Sequence, residues 1–126
     1  MAGEGTNGKA ILVVDDDLDG ARMFALLLNQ LGHAAEYATH PKSVLDVAKR
    51  TRPWLIFLDI RLPDMSGWEL ARQLRRELGH DGLRLVAVSG FGEAADHKRS
   101  REAGFDAHVH KPVDIDLLKS ILAQFR

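Results

Sequence analysis

A parallel α/β sheet covered by helices on both faces is the fold that this sequence predicts. Three observations lead there. Short apolar runs alternate with longer amphipathic ones, the first, third and fourth short runs are almost continuously apolar, and polar residues with chemical potential follow nearly every run. Such alternation makes βα units, and strands apolar on both sides need cover on both faces. A chain of 126 residues that is 45% apolar can bury one core of this kind without disulfides or metal staples.

Taken in order, residues 1–8 are polar and glycine-bearing and are expected to form a disordered leader, with one domain over 9–126. The strands are read at AILVV (10–14), AAEYA (34–38), WLIFL (54–58), LRLVAV (83–88) and AHVH (107–110). Phe24, Leu27, Leu28 and Leu31 line one side of a first helix, which Gly32 ends by taking the left-handed position after the last turn. Pro41 opens a second helix carrying Val44, Leu45, Val47 and Ala48, because proline suits the first helical position. GWELARQLRREL gives a third, with Leu70, Leu74 and Leu78 on one stripe and Gly79 after it. EAADHKRSREAG is a fourth, weakly amphipathic and mostly polar. DIDLLKSILAQF places Leu117, Leu118, Ile121, Leu122 and Phe125 on one face of a fifth. No repeat, low-complexity tract or second domain is visible.

Composition excludes several functions. The chain has no cysteine, so thiol nucleophiles, thiolate metal sites and disulfides are absent, and a reducing, cytoplasmic setting is compatible. No apolar run approaches the roughly 18 to 20 residues that cross a bilayer, and the opening lacks a signal-peptide centre, so a soluble protein is expected. With 17 basic and 18 acidic side chains, no global field draws nucleic acid or anionic lipid.

In an open parallel sheet the carboxyl ends of the strands emerge at one edge, where ligands bind. Asp15, Asp16 and Asp17 follow the first strand, Asp59 the third, Ser89 and Gly90 the fourth, and Lys111 and Pro112 the fifth; Thr39 and His40 after the second lead straight into a helix. Carboxylates gathered in a cleft repel unless a cation or a shifted pKa relieves them. Mg²⁺ is the natural relief, since it takes oxygen ligands and binds through one or two carboxylates plus a phosphate. Lys111 suits one phosphate oxygen and Ser89 another, and a carboxylate can itself be the nucleophile. The set makes sense as a phosphoryl site on an aspartate.

ILVVDDD, LDIRLPDMSGWEL, VAVSG and GFDAHVHKPVD, in this order and spacing, resemble the receiver domain of two-component response regulators, from about Lys9 to the end. Between a stand-alone relay and a receiver of a hybrid histidine kinase, the GFDAHVHKPVD tail looks more like the hybrid-kinase kind. The resemblance implies a flavodoxin-like, doubly wound fold with five parallel strands ordered 2-1-3-4-5 and five helices. It implies that Asp59 accepts a phosphoryl group from a histidine kinase or phosphotransfer protein, and that Asp16 and Asp59 ligate Mg²⁺ directly. Asp15 would hold a metal-bound water, the Arg61 carbonyl would be a further ligand, Ser89 would swing toward the phosphate and Lys111 would pair with it. The Lys111–Pro112 peptide would be cis, against about 5 to 6% for an arbitrary X-Pro bond. His108 stands where the family has a switching aromatic ring, so a weakened or pH-sensitive coupling is expected. Arg61 and Phe91 lie where the family tunes the attacking water. Helix four, strand five and helix five would be the partner surface, and no turnover of an external substrate, nucleic-acid binding or membrane insertion is implied.

Each residue has a plainer reading. The three aspartates could simply cap the first helix, which holds best for Asp17. Ser89-Gly90 alone is an ordinary turn pair and Lys111 alone an ordinary surface lysine, whereas a carboxylate directly after WLIFL needs a task. Asp64 reads as a loop or helix-entry residue. His108 and His110 share a strand face, but His33, His40, His80 and His97 lack zinc spacing, and His97 is read as part of a solvated face. Of other function classes, a silent interaction module would tolerate losing Asp59 or Lys111, a dehalogenase-like magnesium phosphatase would want Asp-x-Asp, and an FMN carrier would want hydroxyls where the three aspartates stand.

Overall fold

The computed structural model describes residues 10–90 and 97–125. The leader at 1–8 and the expected start at Lys9 lie outside the described residues. The chain runs β1 (Ala10–Val14), α1 (Leu18–Gln30), β2 (Ala34–Ala38), α2 (Pro41–Thr51), β3 (Leu55–Asp59), α3 (Gly67–Leu78), β4 (Arg84–Ser89), α4 (His97–Ala103), β5 (Ala107–His110) and α5 (Ile115–Phe125). The five strands are all parallel and lie in the order β2-β1-β3-β4-β5. Both the doubly wound fold and the strand order therefore match expectation.

The sheet divides the core in two. On one face Leu12, Ile56, Leu58 and Leu85 meet Val44 and Ala48 of α2 and Leu70, Ala71 and Leu74 of α3. On the other, Ile11, Val13, Phe57 and Val88 meet Ala21 and Leu28 of α1 and Leu118, Ile121 and Leu122 of α5. Alternate residues of one strand feed opposite faces, which is why β1, β3 and β4 are apolar almost throughout.

Local chemistry sets the ends. Leu31 caps α1 instead of extending it, and Gly32 follows at φ 95°. Pro41 is the first residue of α2, and the His40 ring accepts the Lys42 amide. Ser66 Oγ accepts the Glu69 amide at the start of α3, satisfying one of the helix's free N–H groups as an N-cap does. Four strand boundaries differ from the sequence reading. Trp54 and Leu83 fall outside β3 and β4, although both are buried, and Asp59 and Ser89 fall inside them. Apolar character marks burial rather than ladder pairing, and in β3 and β4 the ladder reaches the first polar residue after the run. Leu117 is 36% exposed, because Leu118, Ile121 and Leu122 already fill the inner stripe of α5.

One buried group went unread. Arg75, within α3, donates to the carbonyl oxygens of Gly104 at 2.9 Å and Leu83 at 2.8 Å and to Asp106 Oδ2 at 2.8 Å. It ties the end of α3 to the turns that lead into β4 and β5.

Candidate functional site

The register brings the predicted polar residues to one edge. Val14 pairs with Leu58 and Asp59 with Val88, so the β1 and β3 tips lie side by side with β4 next to them. Ser89 pairs with His110, which sets Lys111 one residue past the β5 tip. Gly67 allows the close fit under β3: a Cβ there would stand 2.4 Å from the Asp59 carbonyl oxygen and 2.5 Å from Ile60 Cα.

Asp15, Asp16 and Asp59 each direct a carboxylate oxygen to one region, with those oxygens within 4.8 Å of one another. Asp15 and Asp59 are buried and Asp16 is exposed. Lys111 Nζ donates to Asp15 Oδ2 at 2.7 Å and to Asp59 Oδ2 at 2.9 Å. The other Asp59 oxygen, Oδ1, accepts the Arg61 amide at 2.8 Å, and Asp15 Oδ1 accepts the Asp17 amide at 3.0 Å. Asp17 takes the N-cap position of α1, but its side chain makes no capping hydrogen bond.

Burial pushes the Asp59 carboxyl above its ordinary range; the Arg61 amide and Lys111 lower it without cancelling that effect, and the Asp15 charge raises it further. Burial alone would lower Lys111, yet its bonds to Asp15 and Asp59 outweigh this and hold its pKa above the usual lysine value. The site is thus an acid-rich pocket with one cation already drawn in. Three hard oxygen donors converging beside an ammonium fit a hard divalent cation and a phosphate. An open groove of about 740 Å³, lined by Asp15, Phe24, Leu27, Asp59 and Lys111 among others, leads from the acids along α1.

The remaining predicted residues fall nearby or elsewhere. Ser89 is fully buried, and its Oγ stands 2.8 Å from His110 Nδ1 and 3.1 Å from His108 Nε2. The Lys111–Pro112 peptide is cis. Phe91 lies outside the described residues. Asp64 turns away from the acids, at φ 67° with its carboxylate 3.3 Å from His40 Nε2. His97, read as solvated, is exposed but not isolated: its ring centroid lies 4.7 Å from that of His108 and 6.1 Å from that of His110. Ser100 Oγ stands 2.9 Å from His108 Nδ1 and accepts the Trp68 indole N–H at 3.0 Å. The alternation of His108 and His110 was visible in sequence. The approach of His97, Ser100 and Trp68 depends on how α4 packs, which no local pattern encodes.

Comparison with known proteins agrees with this geometry. The response regulator receiver domain family matches residues 11–123. The polar-differentiation response regulator DivK of Brucella anthropi is 32% identical over 120 residues, covering 90% of this chain and 96% of that protein. Among solved structures, a CheY-like receiver domain from Methylobacillus flagellatus is 33% identical with a TM-score of 0.82, covering 94% of this chain and 98% of that one. Another, from Methanospirillum hungatei, is 30% identical with a TM-score of 0.82 and 93% coverage of each.

Proposed function

Because this chain belongs to the response regulator receiver domain family, we propose that Asp59 is the phosphoacceptor of a two-component phosphorelay, taking its phosphoryl group from a histidine kinase or histidine phosphotransfer protein. The observation that carries the reading is the gathering of Asp15, Asp16 and Asp59 beside the Lys111 ammonium. Asp59 Oδ1 is committed to the Arg61 amide, which leaves Oδ2 to form the bond to phosphorus as the donor's P–N bond breaks and its imidazole departs.

Asp15, Asp16 and Asp59, with the Arg61 carbonyl, would hold Mg²⁺. When bound, the ion offsets negative charge on the phosphoryl oxygens. Lys111 exchanges its hold on Asp59 for one phosphoryl oxygen and the Ser89 hydroxyl donates to another. The roughly −1.5 to −2 charge added to Asp59 thereby meets a cation and a donor within the fold. His108 lies between Ser89 and Ser100 of α4, so withdrawal of Ser89 reaches the surface formed by α4, β5 and α5, the expected partner face. Arg61, whose backbone amide already donates to Asp59, and Phe91 would set the lifetime of the phosphoryl group. A cytoplasmic address and the absence of turnover on an external substrate belong to the same reading; among the described residues no helix is long and apolar enough to cross a membrane.

The test is incubation with Mg²⁺ and a small-molecule phosphoryl donor, followed by mass spectrometry. One phosphoryl adduct on Asp59, abolished by Asp59→Asn or by chelation, is expected. An unmodified chain at saturating donor favours a silent interaction module, and continuous release of phosphate favours a phosphatase.

A further inference from the structure

Ser89 is wholly buried and has a single hydroxyl proton, yet two imidazole nitrogens face its oxygen: His110 Nδ1 at 2.8 Å and His108 Nε2 at 3.1 Å. This follows from register, since β4 and β5 pair Ser89 with His110 and Ala87 with His108, putting both rings on the face that α4 covers. The proton count can be carried through. The Trp68 indole can only donate, so it occupies a lone pair of Ser100 and leaves the Ser100 proton for His108 Nδ1. A neutral His108 then carries its proton on Nε2 and donates to Ser89, which gives its own proton to His110 Nδ1. Reversing the chain leaves the Ser100 proton without an acceptor in this group.

We propose that His110 is a positioning residue for phosphoryl acceptance, holding the Ser89 hydroxyl proton on its Nδ1 and releasing it when Ser89 turns to the phosphoryl oxygen. This rests on the reading of Asp59 as phosphoacceptor. A hydroxyl cannot donate to an imidazole and a phosphoryl oxygen with one proton. Uptake at Asp59 therefore requires His110 Nδ1 to become an N–H donor, as the other neutral tautomer or as the imidazolium. The imidazolium cannot accept from Ser89 at all, so protonation of His110 favours the state in which Ser89 serves the phosphoryl group.

Among the described residues, β4 and α4 flank the β5 face that carries both imidazoles, while α5 packs against the opposite Ala107 and Val109 face. The charged side chain on β4 is Arg84, whose guanidinium lies 3.8 Å from Asp106 and over the Phe125 ring. α4 contributes His97, whose ring faces both imidazoles, and Arg99, stacked 4.0 Å from the Trp68 centroid, with Lys98, Arg101 and Glu102 completing its charged set. Lys111, next in sequence, is turned to Asp15 and Asp59.

The experiment measures beryllofluoride affinity, with Mg²⁺, at pH 6 and pH 8 for the full chain, His110→Ala and His97→Ala, the range over which an ordinary imidazole titrates. Any titration of Asp59 is common to all three, so the comparison between variants isolates His110. The wild type is expected to tighten at pH 6 relative to His110→Ala by about fivefold to tenfold, the low end of an ordinary coupling between sites. His110→Ala binds more tightly than the wild type at pH 8, and His97→Ala keeps the wild-type response. Equal pH responses in wild type and His110→Ala, or a response lost only in His97→Ala, overturn the proposal. Long-range ¹⁵N NMR of the wild type is expected to find Nδ1 of His110 bare in the free chain and protonated with beryllofluoride; Nδ1 bare in both states overturns it. Failure of the wild type to bind at either pH rejects the phosphoacceptor reading itself, a different outcome from binding with no role for His110.

Discussion

The Lys111 ammonium stands 2.9 Å from Asp59 Oδ2 and 2.7 Å from Asp15 Oδ2, so one cation serves two buried carboxylates. Removing it leaves both acids desolvated with less compensation. Lys111→Ala is expected to lose on the order of 1–3 kcal/mol at neutral pH, the cost of stranding buried acceptors, read by urea denaturation. Mg²⁺ should recover part of the loss. The pH dependence follows from the sign of the shift: Lys111 is held above its ordinary value of 10.5, so its contribution is fully present below that pH and disappears as pH rises through the folded value. Alkaline unfolding of the wild type should therefore converge on that of the variant.

Asp59 works in the opposite direction. Burial raises its pKa, so the folded state binds a proton more readily than the unfolded chain does, and stability falls as pH climbs from the ordinary 3.8 through the raised value. Asp59→Asn removes that cost, while Asp15 still pairs Lys111. It is expected to raise stability at neutral pH by on the order of 1 kcal/mol while abolishing phosphoryl uptake. Mg²⁺ should raise the melting temperature of the wild type more than that of the variant. A variant less stable than wild type at pH 7 would contradict the assigned sign.

Gly67 is expected to be intolerant of even one methyl group. Its added Cβ would meet main chain, the Asp59 carbonyl oxygen and Ile60 Cα, neither of which can rotate aside. Either α3 shifts outward or the tip of β3 moves. Gly67→Ala should cost about 1–3 kcal/mol and weaken beryllofluoride binding, whereas alanine at a solvent-facing α3 position such as Arg72 changes neither.

The central strands β1, β3 and β4 were legible because a doubly covered strand has almost no polar residues, and the site because parallel topology sends all carboxyl ends to one edge. Asp59, Ser89 and Lys111 were singled out from that rule before any resemblance was invoked. What escaped were contacts between elements. His97 has the sequence surroundings of a solvated helix face, and only the seating of α4 on β5 brings its ring to His108. Leu117 kept helical periodicity with the inner residues of α5, but periodicity gives a direction and not the depth of the neighbouring core.

Arg75 is the plainest case of this blindness and the site of the last expected outcome. Within QLRREL it reads like Arg76, a polar residue of an amphipathic helix, yet its side chain is only 7% exposed and that of its partner Asp106 26%. Its guanidinium fills the acceptors of Gly104 and Leu83 as well as one Asp106 oxygen, which also accepts the Leu85 amide. A planar group with several fixed donors does this, and an ammonium cannot span the same set. Arg75→Lys should therefore destabilise nearly as much as Arg75→Ala, about 3–5 kcal/mol as for breaking a buried ion pair, while Arg76→Ala stays within about 0.5 kcal/mol as a surface change. Because the clamp holds the turns before β4 and β5 rather than their carboxyl ends, beryllofluoride affinity of the folded fraction should be nearly unchanged. Full stability in Arg75→Lys would mean that charge alone, and not the fan of donors, secures that end of the sheet.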